Sequence, residues 1–423
     1  MNVSQQPMSQ RRRVWIVNHY ANTPDLPGGT RQYELAAELV AAGFEATVFS
    51  ADFNLALRRG SKVPNGRLAA EESVEGVTFV WVKVVPYQQN DWRRVLNMLS
   101  FAFALLWIGA GRARPDLIVG SSPHLFAAAA ARVVAWWRST LFYFEVRDLW
   151  PQVLIDMGGK SESALMVRTL RVLERFLYTS SRRVIVLAQG AVDYVVARGA
   201  TAQRTHWLPN ATDLEGFKPT RSRLEVLQSF GLEPDRFYVT YAGAHGEANA
   251  LGTVVEAARL LEQTSSDSRD TPIFLLIGDG PEKAALQARA QGLSSIKLLP
   301  AVPKAQISDV LNASDALLIT LRDVPLFRYA VSPNKLFDYF AAAKPVIASV
   351  GGDVAQLVTE QGVGVGVTPE SFQELADAAL KMANTSADQL EAMGRSGRAL
   401  AEQRFSRKAV ARQLIALLRE DGL

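Results

Sequence analysis

Short apolar runs rich in β-branched and aromatic residues alternate along this chain with longer stretches in which apolar residues recur at three- and four-residue spacing. Parallel strands covered by helices on both faces read as continuous apolar runs, so the alternation predicts strand–helix–strand units. In the first half the strand candidates are residues 13–18, 46–50, 77–84, 116–120, 141–146 and 183–188. In the second half they are residues 238–242, 272–277, 296–299, 316–320, 345–349 and 364–367. Six and six predict an α/β protein of two Rossmann-like, doubly wound parallel sheets. The segment LPNATDLEGFKPTRSR, residues 208–223, carries two prolines, a glycine and polar residues, and the boundary belongs there. The expected division is residues 1–213, residues 214–405, and a last helix within residues 406–423 that packs back toward the first domain. The chain shows no short-period repeat, although two similar units fit an old duplication.

One apolar stretch stands apart. Residues 95–111, VLNMLSFAFALLWIGAG, are 17 residues without a charge, between Trp92, Arg93 and Arg94 on one side and Arg112 and Arg114 on the other. A membrane-spanning helix needs about 20 predominantly apolar residues. This stretch is shorter, includes Asn97 and Ser100, and lies where a crossover helix is required between two strands. A spanning helix, a buried crossover helix and a crossover helix with one face against a bilayer are the three readings, and the flanking Trp and Arg residues favour the last.

At 423 residues the chain is too long for one core, which agrees with two domains. The absence of cysteine excludes disulfides, thiolate catalysis and cysteine-ligated metal centres, and fits a reducing compartment. The N-terminal MNVSQQPMSQRRR has no apolar core and does not read as a secretory signal, so a cytoplasmic protein is expected. Charge is uneven: residues 1–215 hold 24 Lys and Arg against 18 Asp and Glu, whereas residues 216–423 hold 22 against 24. A basic first half suits an anionic partner such as a membrane surface, a lipid diphosphate or a nucleic acid.

The densest chemistry lies in SPNKLFDYFAAAKPVIAS, residues 332–349. Ser332 followed by Pro333 reads as an N-cap and first helical residue, leaving backbone N–H groups as an anion site. Lys335 adds a positive charge in the first turn, and Asp338, one turn on, is placed to accept hydrogen bonds from ribose hydroxyls. An ordinary capped core helix is the plain alternative.

Ligands of doubly wound sheets bind beyond the carboxyl ends of the strands. After the first strand, Gly28, Gly29 and Thr30 open a helix and allow close backbone approach to a phosphate or sugar. The fifth strand ends in FEVRDLWPQ, where Glu145, Arg147 and Asp148 cluster: Asp148 suits a sugar hydroxyl or an acceptor proton, and Arg147 a phosphate, unless the two simply pair. In the second half, YAGAHGEANAL places Gly243, His245 and Gly246 after a strand, with His245 either in a phosphate pocket or in solvent. IGDGPEK places Gly278, Gly280 and Glu282 at another helix start, with Pro281 at its first position. Three helix starts in one domain favour a nucleotide site.

Several chemistries are missing. No Walker A loop is present, since Leu154 stands where the first glycine before Gly159-Lys160-Ser161 belongs. His19, His124, His206 and His245 have no metal-ligand spacing, and no two aspartates are separated by a single residue. Neither a metal nor another cofactor is expected.

Taken in order, PGG at 27–29, SSPHLFAAAAA at 121–131, EVRDLWPQ at 145–152, LPNATD at 208–213, YAGAHGEANAL, GDGPEK and SPNKLFDYFAAAKPVIAS form a specific set. By these motifs the chain resembles family 4 glycosyltransferases, retaining enzymes of GT-B fold, over nearly its whole length. It is most similar to the bacterial surface-polysaccharide branch that includes L-N-acetylfucosamine transferases. The resemblance implies two Rossmann-like domains facing a central cleft, with the acceptor on the first and a nucleotide-diphosphate sugar, UDP-linked by preference, on the second. It implies donor contacts from Gly243, His245, Gly246, Gly278, Gly280, Glu282, Val302, Ser332, Asn334, Lys335, Leu336 and Asp338. Catalysis would rest on Asp148, Lys335 and Arg147, without a metal, and acceptor contacts on Gly28, Gly29 and Thr30.

The chain departs from the family in two places. The carboxylate normally eight positions before Asp338 falls at Ala330, and the Arg and Lys usual after the first strand of the second domain are absent from residues 244–251. Leaving-group stabilisation would then rest on Lys335, helix N-termini and Arg147. The expected reaction is sugar transfer with retention to a polyprenyl-diphosphate-linked or other glycan acceptor at the inner membrane face, with no role for nucleic acid. A nucleotide-sugar epimerase of the same fold and a non-catalytic nucleotide-sugar-binding subunit are the alternatives.

Overall fold

The computed structural model describes residues 11–55, 57–89, 91–264 and 271–423, so residues 1–10, most of the basic N-terminal stretch, lie outside the description. The chain forms two compact units: residues 1–208 with 410–423, and residues 209–409.

The first unit is built on eight strands: β1 (Arg13–Val17), β2 (Glu45–Ala51), β3 (Ala69–Val74), β4 (Val77–Val82), β5 (Leu117–Ser121), β6 (Leu141–Val146), β7 (Arg183–Val186) and β8 (Thr205–Trp207). Their order is β3-β4-β2-β1-β5-β6-β7-β8, parallel throughout except for the β3/β4 hairpin. All six predicted strands are present, and β3 and β8 are additional. β3 reads AAEESV, poor in strand-forming residues because it is an edge strand with an open face. It is joined to β4 by the two residues Glu75 and Gly76, both at positive φ, the turn that suits a hairpin's twist. β8 is three residues, too short to show a pattern.

The second unit has six parallel strands: β9 (Tyr238–Ala242), β10 (Ile273–Ile277), β11 (Ile296–Leu299), β12 (Ala316–Thr320), β13 (Val346–Ser349) and β14 (Gly364–Val367). They are ordered β11-β10-β9-β12-β13-β14. Val239, Phe274, Leu276 and Leu318 face the helix Leu251–Thr264 in one core, and Tyr238, Ile273 and Leu275 face Val226 and Val310 in another, so the sheet is covered on both sides. In each unit the order reverses beside the first strand, between β1 and β5 and between β9 and β12. Those two points fix where a crevice opens at the strands' carboxyl ends.

The apolar stretch forms a crossover helix, Trp92–Gly111, whose Asp91 cap accepts the Arg93 amide at 3.0 Å. Its length and composition suffice to cross a membrane, but Asn97, Phe101 and Leu105 pack into the unit. Phe103 and Trp107 point outward, 68% and 78% exposed.

Residues 410–423 complete the first unit. Asp421 takes hydrogen bonds from the Tyr143 hydroxyl at 2.7 Å, Arg183 Nε at 2.8 Å and Arg182 Nη2 at 2.8 Å. Burial opposes its charge, but Arg183, Tyr143 and Arg182 outweigh that and hold the carboxyl well below its ordinary range. The stabilisation is therefore present above the unfolded carboxyl's titration and is lost as the pH falls through the folded value. Asp421→Ala removes the buried carboxylate that Tyr143, Arg182 and Arg183 share, and urea unfolding at pH 7 should show a loss of about 2–3 kcal/mol. A change below about 0.5 kcal/mol would contradict this anchor.

Candidate functional site

In the second unit the loops after β9 and β10 meet the helix Asn334–Ala341 at the point of strand reversal. Lys335 aims its ammonium at those loops, donating to the Tyr241 hydroxyl at 2.8 Å and to Asn249 Oδ1 at 3.3 Å, with Nζ 4.0 Å from the Tyr241 ring centroid. A Cβ on Gly243 would stand 3.1 Å from that Nζ, and a Cβ on Gly278 only 1.8 Å from the Gly243 carbonyl oxygen. Glycine at both positions is what lets lysine and two loops converge. Burial, with no carboxylate among the described residues to offset it, pulls the Lys335 ammonium down to about 7.

His245 is fully buried, and among the described residues neither of its ring nitrogens has a hydrogen-bond partner. Burial lowers its pKa, so it is neutral at pH 7. Its backbone ties the loops together, the amide donating to Asp279 at 2.8 Å and the carbonyl accepting from Glu282 at 3.0 Å. The choice the sequence left open for His245 thus falls to the interior. Gly246 follows it and accepts the Asn249 amide at 2.9 Å, and a Cβ on Gly280 would stand 2.4 Å from the His245 carbonyl oxygen.

Two helix starts differ from expectation. Pro333, in an extended conformation, is the N-cap, and the helix begins at Asn334, so Ser332 is not the cap. Ser332 instead receives Asn210 Nδ2 on its carbonyl at 2.7 Å. Near Glu282, the helix runs Lys283–Arg289 with Glu282 as its N-cap, and Pro281 lies in the preceding turn rather than at the first helical position. The Glu282 amide is already used by His245, which removes one of the anion-binding groups expected there. Leu336 is 1% exposed and belongs to the core, whereas Asn334 is exposed at the helix start. Val302 packs on the core under β9 and β10. Asp338, one turn on from Lys335, accepts from Thr212 Oγ1 at 2.9 Å.

In the first unit a cavity of about 420 Å³ opens at the carboxyl ends of β1, β5 and β6, lined by Tyr20, Asn22, Gly28, Gly29, Arg147 and Asp148 among others. Ser122 builds its floor: its hydroxyl oxygen accepts the Arg147 amide at 2.8 Å and the Asp148 amide at 3.2 Å. Among the described residues Arg147 and Asp148 form no ion pair with each other, so the plain pairing weighed above is not what holds them. Glu145 is structural. Its buried carboxylate takes Arg31 Nε at 2.9 Å and the Ser121 hydroxyl at 2.6 Å. Burial would raise its pKa, but Arg31, Arg147 and Ser121 hold it low. Thr30 turns from the cavity to donate to Glu34 at 2.7 Å.

Tyr241, Asn249, Asn210 and Thr212 were not singled out from sequence. The last two sit in LPNATD, which reads as a linker because its proline and polar residues resemble any boundary. Its place in the ordered motif set was the available signal.

Residues 28–211 match the glycosyl transferase 4-like domain, and residues 236–385 match the glycosyl transferases group 1 domain. Among curated proteins the chain is similar to WcaI of Escherichia coli, named as a colanic acid biosynthesis glycosyl transferase, at 26% identity over 86% of this chain and 89% of that protein. It is also similar to WbjE of Pseudomonas aeruginosa, named as a probable glycosyltransferase, at 23% identity over 55% and 57%. The fold is shared with sucrose-phosphate synthase of Thermosynechococcus elongatus, at TM-score 0.73 and 18% identity over 97% and 99% of the chains. It is shared too with Anabaena HepE, solved with UDP and glucose, at TM-score 0.68 and 15% identity over 97% and 100%.

The lysine's environment has a consequence for stability. Its charge is carried at a cost in the folded state below pH 7, a cost that fades as the pH rises from about 7 toward the unfolded lysine's value. Lys335→Met should therefore melt no lower than the parent at pH 6, with any advantage shrinking at pH 9. A loss of more than about 2 kcal/mol at pH 6 would show the ammonium to be a structural anchor instead.

Proposed function

Starting from a chain that belongs to the family 4 glycosyltransferases of GT-B fold, we propose that it moves a sugar from a nucleotide-diphosphate sugar, UDP-linked by preference, to a lipid-linked glycan acceptor with retention of configuration. The observation that carries this reading is Lys335: a lysine at the strand reversal, drawn down to about 7 by burial, whose positive charge a diphosphate would restore. The donor diphosphate lies against Lys335 and the loops of Gly243 and Gly278, with Asp338 toward the ribose. HepE's complex with UDP supports a nucleotide on this fold, and WcaI's name supports polysaccharide assembly.

The acceptor occupies the 420 Å³ cavity of the first unit. In the transfer the acceptor hydroxyl attacks the anomeric carbon from the face that the diphosphate leaves. The bond to the diphosphate breaks, and a phosphate oxygen of the leaving group takes the hydroxyl's proton. No protein nucleophile is required. The chain supplies position and charge: on the second unit Lys335 for the leaving diphosphate, and on the first unit Arg147 for phosphate and Asp148 for the acceptor hydroxyl. Metal is not part of this scheme. The exposed Phe103 and Trp107, on a helix flanked by arginines, hold the protein peripherally at the inner face of the membrane.

Purified protein should turn over at least one of a panel of UDP-, GDP- and dTDP-sugars in the presence of lipid-linked glycan, with product linkage of the donor's anomeric configuration by NMR. EDTA should leave the rate unchanged, and Lys335→Met should lower kcat by about a hundredfold or more. Absence of turnover with every donor would favour a non-catalytic nucleotide-sugar-binding subunit, the reading to which Ala330 points.

A further inference from the structure

The first unit holds a second cavity, about 720 Å³, with an apolar wall. Val95 and Met98 of the helix Trp92–Gly111 form one side, Leu154 another, and Leu165, Met166 and Thr169 of the helix Leu165–Ser180 face them. One end is open to solvent, where Leu165 is 80% exposed. The other end is polar. Pro123 belongs to this wall and to that of the 420 Å³ cavity, so the two spaces adjoin.

The junction is built for an anion. His124 lines it, is 4% exposed, and among the described residues has no partner for Nε2. The same residue precedes the 13-residue helix Leu125–Trp137 and makes no side-chain cap, which leaves that helix's first amides unpaired at the junction. Arg94 stands beside it, its charge felt by His19, Tyr20 and His124. Asp91, the acidic group of the wall, is turned to its own helix, accepting the Arg93 amide at 3.0 Å.

A cavity carrying Tyr20, Asn22, Arg147 and Asp148, a junction of helix amides and arginine, and an apolar groove open at its far end follow one another in the order sugar, diphosphate, hydrocarbon. We propose that the groove is the subsite for the prenyl chain of a lipid diphosphate acceptor, with its diphosphate on the N-terminus of Leu125–Trp137 beside Arg94 and His124. This rests on the reading of the first unit as the acceptor side. The chain enters from the bilayer past Leu165, and its first isoprene units displace water from the apolar wall. Phe103 and Trp107 lie outside the groove and serve the membrane face alone.

Binding measurements test this without any turnover. The probes are farnesyl diphosphate below its micellar concentration, inorganic diphosphate, and phosphatidylglycerol vesicles free of lipid diphosphate. The parent should bind farnesyl diphosphate at least about tenfold tighter than inorganic diphosphate, since even two buried methylenes supply that factor. Thr169→Trp, an exposed position on the groove wall, should lose that tenfold while keeping its affinity for inorganic diphosphate, for vesicles and for UDP. The double variant Phe103→Ser/Trp107→Ser should do the reverse, losing vesicle binding and keeping farnesyl diphosphate. The proposal is overturned if farnesyl diphosphate binds no tighter than inorganic diphosphate. It is equally overturned if Thr169→Trp leaves its affinity unchanged, or weakens vesicle binding in equal measure, which would make the groove part of the membrane face. Failure of the transferase reading appears separately, as absent sugar turnover with these affinities intact.

Discussion

An ammonium group held without a carboxylate is the constraint from which the second unit's site follows. Lys335 meets a phenol and an amide oxygen, neither of which carries charge, so the folded protein bears the cost of burying a cation. The surrounding sequence serves that placement: Gly243 and Gly278 give up side chains so that the loops can close on it, and Tyr241 extends its hydroxyl from β9 to meet it. An unoffset charge at a strand reversal is a standing preference for a dianion. In the proposed reaction it takes the place of the arginine and lysine that residues 244–251 lack, and it does not supply what Ala330 lacks, a carboxylate near the donor sugar.

The first unit sets two adjoining cavities side by side, one lined by Arg147 and Asp148 and one with an apolar wall. In the first of these Ser122 holds both amides of Arg147 and Asp148, whereas Glu145, which sequence grouped with them, is spent on Arg31 and Ser121 within the core. The helix Trp92–Gly111 divides its apolar residues among three tasks: Phe101 and Leu105 in the core, Val95 and Met98 on the groove, Phe103 and Trp107 outward. That division explains why its composition alone resembled a membrane span.

The sheets were legible because buried parallel strands are apolar runs bounded by turn residues, and all twelve predicted strands are found. β3 was not, since an edge strand exposes one face and Ala69, Ala70, Glu71 and Glu72 carry no strand signal. Lys335 was legible from its spacing after a proline, but its lack of a counter-ion was not, because that depends on what surrounds it from β9 and the loop of Asn249. Asn210 and Thr212 were hidden for the same reason: a proline-bearing stretch looks like a linker until its contacts with Ser332 and Asp338 are seen. The one-residue shift from Ser332 to Pro333 at the helix start reflects proline's fixed φ, which allows either a cap or a first position.

The measurement that bears most directly on this account is the titration of Lys335 itself, followed through its Nζ resonance in selectively labelled protein, without and with a nucleoside diphosphate. A midpoint near 7 in the free protein that moves up by two units or more on saturation, about a hundredfold in proton affinity, is the predicted result. A midpoint already near that of an ordinary lysine, or one unmoved by the diphosphate, would contradict it.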